Sequence, residues 1–116
     1  MVGALAIAAI MAANVYAAPV PDNYAEPYTV TARVTEYCPA CNSPAGHGSA
    51  TGTYLTTGHC AVGWLPMGSV VEIDGELFEV VDVCGTDAVD VFVNDDSGVC
   101  RCNRNEYEEI TVYEKR

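Results

Sequence analysis

The chain has 116 residues, half of them hydrophobic, with sixteen acidic and five basic side chains for a formal net charge of −11. That length suits one domain. The charge would repel phosphate backbones and anionic membrane surfaces, so no nucleic-acid partner is expected.

Residues 1–17 read as a secretory signal peptide. Gly3 to Ala13 are small or apolar, and Val15-Tyr16-Ala17 supplies compact residues at a cleavage site. The apolar run is short for a membrane span of about 20 residues, so no stable membrane insertion is expected after cleavage. The expected location is secreted or cell-wall associated. Residues 18–27 carry three prolines and no apolar period, which predicts an extended linker. The domain is expected over residues 28–116.

Tyr28 to Glu36 alternates and is rich in Thr and Val, which predicts a strand. Asn42 to Gly52 is rich in Gly, Ser and Ala and reads as a loop. Ser69 to Ile73 and Leu77 to Val83 read as strands joined by the hairpin signal Asp74-Gly75. Ala88 to Val93 is a further strand. Asp95 to Asn105 reads as a polar loop, Asn103 to Glu108 as a possible short helical turn, and Glu109 to Tyr113 as the last strand. Five or six short strands with irregular loops predict an all-β fold closed into a small barrel, since closure removes exposed edges.

All six cysteines follow the leader: Cys38, Cys41, Cys60, Cys84, Cys100 and Cys102. In a small exported domain an even count predicts disulfides, with the pairing left open. Zinc is the competing reading for Cys38-Pro39-Ala40-Cys41 with His47 and His59 nearby. The single residue between Cys100 and Cys102 weighs against it, so no metal or cofactor is expected. The two histidines read as plain surface residues.

Two carboxylates stand out. Alternation puts Asp90 on one strand face with Phe92, opposite Val89, Val91 and Val93. It puts Asp82 with Val80 and Cys84, opposite Val81 and Val83. Asp82 and Asp90 thus each stand among apolar neighbours of their strands.

Several blocks, in order, resemble the three-aspartate (3D) domain, a double-psi β-barrel family found in a membrane-bound lytic transglycosylase and in Gram-positive stationary-phase survival proteins. Thr31-Ala32 through Tyr37-Cys38-Pro39-Ala40-Cys41-Asn42 is similar to its opening strand and turn. Ala50-Thr51-Gly52-Thr53 is similar to its threonine loop. Ala61 to Ser69 occupies the place of its segment with the first aspartate, Val80-Val81-Asp82 of its second, and Val89-Asp90-Val91-Phe92 of its third. Two departures stand out. Gly63 replaces the first aspartate, and the connection from Val83 to Val89 is shorter than the family's Gly-rich insert.

The resemblance implies a six-stranded double-psi β-barrel, here stapled by disulfides. It also implies a lytic transglycosylase-like cleavage of the bond between N-acetylmuramic acid and N-acetylglucosamine in peptidoglycan. Asp90 is the implied general acid/base and Asp82 its support, with Tyr37, Thr51, Trp64 and Asp87 as substrate-binding candidates. A single carboxyl group suffices when the muramoyl 6-hydroxyl attacks internally, unlike the paired acids of ordinary glycosidases. The alternative is a non-catalytic wall-binding module on the same barrel, a reading that Gly63 favours. A structural or effector protein using only the scaffold ranks third. A monomer is expected.

Overall fold

The structure, a computed structural model, describes residues 20–116. The leader expected over residues 1–17 lies outside the described residues. Six strands form one closed barrel: β1 (Tyr28–Tyr37), β2 (His59–Val62), β3 (Val70–Ile73), β4 (Glu76–Asp82), β5 (Val89–Phe92) and β6 (Asn105–Tyr113). The order around the barrel is β1-β5-β2-β4-β3-β6. The pairs β1/β5 and β2/β4 are parallel, and β2 runs antiparallel to β5 between them. The barrel is therefore the all-β, six-stranded closure that the sequence predicts. Among the described residues no helix is long and apolar enough to cross a membrane.

Alternation fills the interior. Ala32 and Val34, Cys60 and Val62, Val71 and Ile73, Phe78 and Val80, Val89 and Val91, and Ile110 and Val112 form one buried cluster with Leu65. Every strand contributes a pair spaced by two, as a pleated strand requires. The Asp74-Gly75 hairpin is present, and both residues hold positive φ, 52° and 80°. Two successive positive φ values are what a two-residue hairpin of matching twist demands.

Three expectations need correction. The linker does not run to Pro27: Tyr24 is fully buried against Val70 and pairs with Lys115, and Ala25 N–H donates to the Glu114 carbonyl. The possible helical turn at Asn103 to Glu108 is instead the start of β6, because Asn105 to Glu109 pairs antiparallel with Thr31 to Thr35. No disulfide is formed: all six cysteines are free thiols. Cys60 lies in the interior cluster, whereas Cys84 packs against a second cluster made by Tyr37, Leu55, Ala61, Val81 and Phe92. These two cannot meet without crossing the barrel wall.

Ile110 is a fully buried side chain of the last strand. Ile110→Ala is expected to lower the unfolding free energy by about 2–5 kcal/mol, read as a lower midpoint in urea denaturation with an unchanged slope.

Candidate functional site

The site begins at β2. Ala61 is paired with Asp90 of β5 on one side and with Asp82 of β4 on the other. Thr35 of β1 is in turn paired with Asp90. Paired residues on neighbouring strands point to one face. Thr35, Asp90, Ala61 and Asp82 thus form a row across four strands on the outer face of the barrel.

A bulge makes this row possible. Cys60 pairs with Val80, yet the next residue, Ala61, pairs with Asp82, so β4 carries one extra residue. Simple alternation would place Asp82 on the face of Val80. Instead Val80 enters the interior cluster, Val81 joins the outer cluster, and Asp82 meets Tyr37. Bulges re-aim side chains in this way.

Asp82 is held by three donors. The Tyr37 hydroxyl donates to Oδ2 at 2.9 Å, and the Ala50 and Val83 amides donate to Oδ1 at 2.8 and 2.9 Å. Tyr37 does not offer an open ring face. Its ring is buried, edge-on to Phe92 with centroids 5.2 Å apart. Burial, reinforced by the hydrogen bond to Asp82, pushes its phenol pKa well above the ordinary range. Tyr37 is therefore a positioning residue. Thr51 lies beside this contact, with its hydroxyl donating to the Val81 carbonyl at 2.8 Å.

Asp90 is held differently. Among the described residues its side chain has one hydrogen-bond donor, Thr35, whose hydroxyl reaches Oδ1 at 2.8 Å. Burial raises its pKa above that of an ordinary aspartate, and the Asp82 and Glu36 charges add to the rise. The Thr35 hydrogen bond and the Arg33 charge oppose it. The row thus contains two acids in unlike settings, one fixed by three donors and one biased toward its protonated form. Such a pair is the usual basis for dividing roles between carboxyl groups.

The other candidates lie to one side. Trp64 is partly exposed and lines a groove of about 590 Å³ with Arg33, Gly63, Thr86, Asp87 and Tyr107. Its indole N–H donates to the Asp87 carbonyl at 2.9 Å, and the exposed Asp87 carboxylate lies 3.8 Å from Arg33. Asp87 thus belongs to the groove rather than to the carboxylate row. Gly63 has no room for a side chain, because a Cβ there would stand 2.6 Å from the Cys84 carbonyl oxygen. The short connection after Asp82 has closed onto the position where an aspartate was expected.

His47 is more than a surface residue. Its Nδ1 lies 2.6 Å from the Leu55 carbonyl and its Nε2 lies 2.6 Å from Asp96. Both partners accept, so the ring serves both when each nitrogen carries a proton. The Leu55 carbonyl, then Asp96, raises its pKa. His59 accepts from the Thr56 amide at 3.0 Å, and burial lowers its pKa. Sequence reasoning missed Thr35, the Ala50 amide and His47; only the strand register reveals Thr35, and the Ala50 donor reaches Asp82 from a folded loop.

Scans of protein-family models, of curated proteins and of solved structures return no match to this chain.

Two predictions follow from this geometry. Gly63→Asp is expected to destabilise the fold by about 1–3 kcal/mol through overpacking against Cys84, read by denaturant titration. For Asp90 the folded-state pKa is raised, so its contribution to stability is full below the ordinary aspartate range. It declines as pH rises through the raised value. Asp90→Asn removes that decline and keeps an acceptor for Thr35. The Tm of the variant relative to wild type is expected to increase between pH 4 and pH 7 in thermal unfolding; a constant difference would refute the assignment.

Proposed function

We propose that this protein is a secreted, cell-wall-active domain that cleaves the MurNAc–GlcNAc bond of peptidoglycan by a lytic transglycosylase-like reaction. The observation that supports this reading most is the Thr35–Asp90–Ala61–Asp82 row, with Asp90 biased toward its acid form beside a firmly held second carboxylate. The ordered resemblance of the blocks from Thr31 to Phe92 to the three-aspartate domain supplies the substrate class.

In this reading protonated Asp90 donates to the glycosidic oxygen as the bond to the anomeric carbon breaks. The resulting carboxylate then takes the proton of the muramoyl 6-hydroxyl, whose oxygen closes onto the anomeric carbon. Protons balance, no water is consumed, and Asp90 returns to its acid form. General acid–base catalysis of this kind contributes on the order of 10²–10⁴-fold. Burial, with the Asp82 charge adding to it, favours the acid form of Asp90, and Tyr37 keeps Asp82 in place. The groove beside Trp64 and Tyr107 offers two exposed aromatic rings for sugar faces. Arg33 is its cationic wall.

Gly63 favours a second reading, a wall-binding module without catalysis, because the closed Gly63–Cys84 approach leaves no place for a third acid. Digestion of purified sacculi separates the two. Wild type is expected to release 1,6-anhydromuropeptides, and Asp90→Asn to release at least a hundredfold less, consistent with loss of an acid/base group. No product from folded wild type, with sacculus binding that survives Asp90→Ala, would replace the enzyme with the binding module.

A further inference from the structure

Away from the carboxylate row, the ends of two loops bring Cys38, Cys41, Cys100 and Cys102 together. Their four sulfurs all lie within 4.8 Å of one another. The geometry points to a tetrathiolate zinc site formed by these four residues.

The spacing distinguishes a metal from disulfides. Zn–S bonds of about 2.3 Å in a tetrahedron put neighbouring sulfurs about 3.8 Å apart. The Cys38 and Cys41 sulfurs are 3.7 Å apart. A disulfide needs about 2.05 Å and sorts sulfurs into pairs. Here four sulfurs are mutual neighbours, which a tetrahedral ion requires and two separate bridges do not. The single residue between Cys100 and Cys102 does not prevent convergence, because that stretch is irregular backbone and both sulfurs reach the cluster.

The surroundings suit ligands. The Cys38 amide donates to the Cys41 sulfur at 3.1 Å, and the Asn42 amide donates to the Cys38 carbonyl at 2.9 Å, which closes the turn. Hydrogen bonds to ligand sulfurs orient them and stabilise the thiolate. Residues 93–104 give no side chain to any of the hydrophobic clusters, and Val99 is exposed. Their conformation rests on polar contacts such as Arg101 with Asp95 and the Asn103 amide with Glu36. A segment that buries so little apolar surface gains most from a metal clip. Zinc would join this segment to the end of β1, one residue past Tyr37. Loading exchanges four thiol protons for one Zn²⁺ and changes no oxidation state.

The test uses the full chain purified under reducing conditions with zinc supplied, and its readouts do not depend on glycan cleavage. Elemental analysis is expected to give one zinc per chain. Cobalt replacement is expected to give the visible bands of tetrahedral cobalt together with strong sulfur-to-cobalt charge transfer. Cys84→Ala should keep the zinc, and Cys100→Ser/Cys102→Ser should lose it. The cobalt spectrum reads the wild-type site, so the proposal stays testable if the double variant fails to fold. A metal-free protein carrying two disulfides by intact mass, free thiols that take up neither ion, or cobalt bound without sulfur charge transfer would each overturn it. Stoichiometric iron lost in the double variant would overturn the choice of zinc.

Discussion

Ala61 is the residue around which the candidate site is arranged. It sits in a four-residue strand that hydrogen-bonds to β5 on one edge and β4 on the other. Its small side chain is buried in a cluster with Tyr37, Leu55, Val81 and Phe92, between the strands that carry the two acids. The bulge beside it matters as much. Without the extra residue in β4, Asp82 would follow Val80 into an apolar interior, where an unpaired carboxylate is strongly disfavoured. The barrel thus places one acid by register and the other by a break in register.

The loops around this row are held by contacts of a different kind. Leu55, fully buried, anchors residues 42–58 to Tyr37, Val81 and Phe92. His47 links the same loop to Asp96 of the β5–β6 connection and stacks on Tyr54 with centroids 4.3 Å apart. The Ala50 amide then reaches Asp82. One loop therefore supplies an apolar anchor, a charged clasp and a donor to the acid. Its exposed tips carry little core, so the position of the Ala50 donor depends on those anchors rather than on sheet hydrogen bonds.

Much of the barrel was legible because alternation and turn chemistry are local. β1, β3, β4 and β5 appear in the sequence as Thr- and Val-rich runs, and Asp74-Gly75 marks its hairpin. β2 was not recognised, since His59-Cys60-Ala61-Val62 is short and has one β-branched residue. Its two partners come from residues 76–92, and such long-range pairing leaves no local signature. The start of β6 was hidden by its polar outer face, which pairs with β1 regardless of propensity. At the site, Asp82 and Asp90 could be singled out as acids in apolar strands. The bulge that joins them could not, because it exists only as a mismatch between two strands. The cysteines were counted correctly, but spacing along the chain concealed that four of them converge while Cys60 and Cys84 lie on opposite sides of the wall.

The strong acidity of the chain gives Arg33 particular weight. It is half-buried, it opposes the rise in the Asp90 pKa, and it faces Asp87 across the groove that holds Trp64. Moving this cation toward Asp87 would relieve Asp90 of a charge that favours its ionised form; moving it back would ease proton release. Asp87 is tied through its backbone to the Trp64 indole. Arg33 therefore stands between the groove and the row, beside Asp87 on one side and among the charges that act on Asp90 on the other.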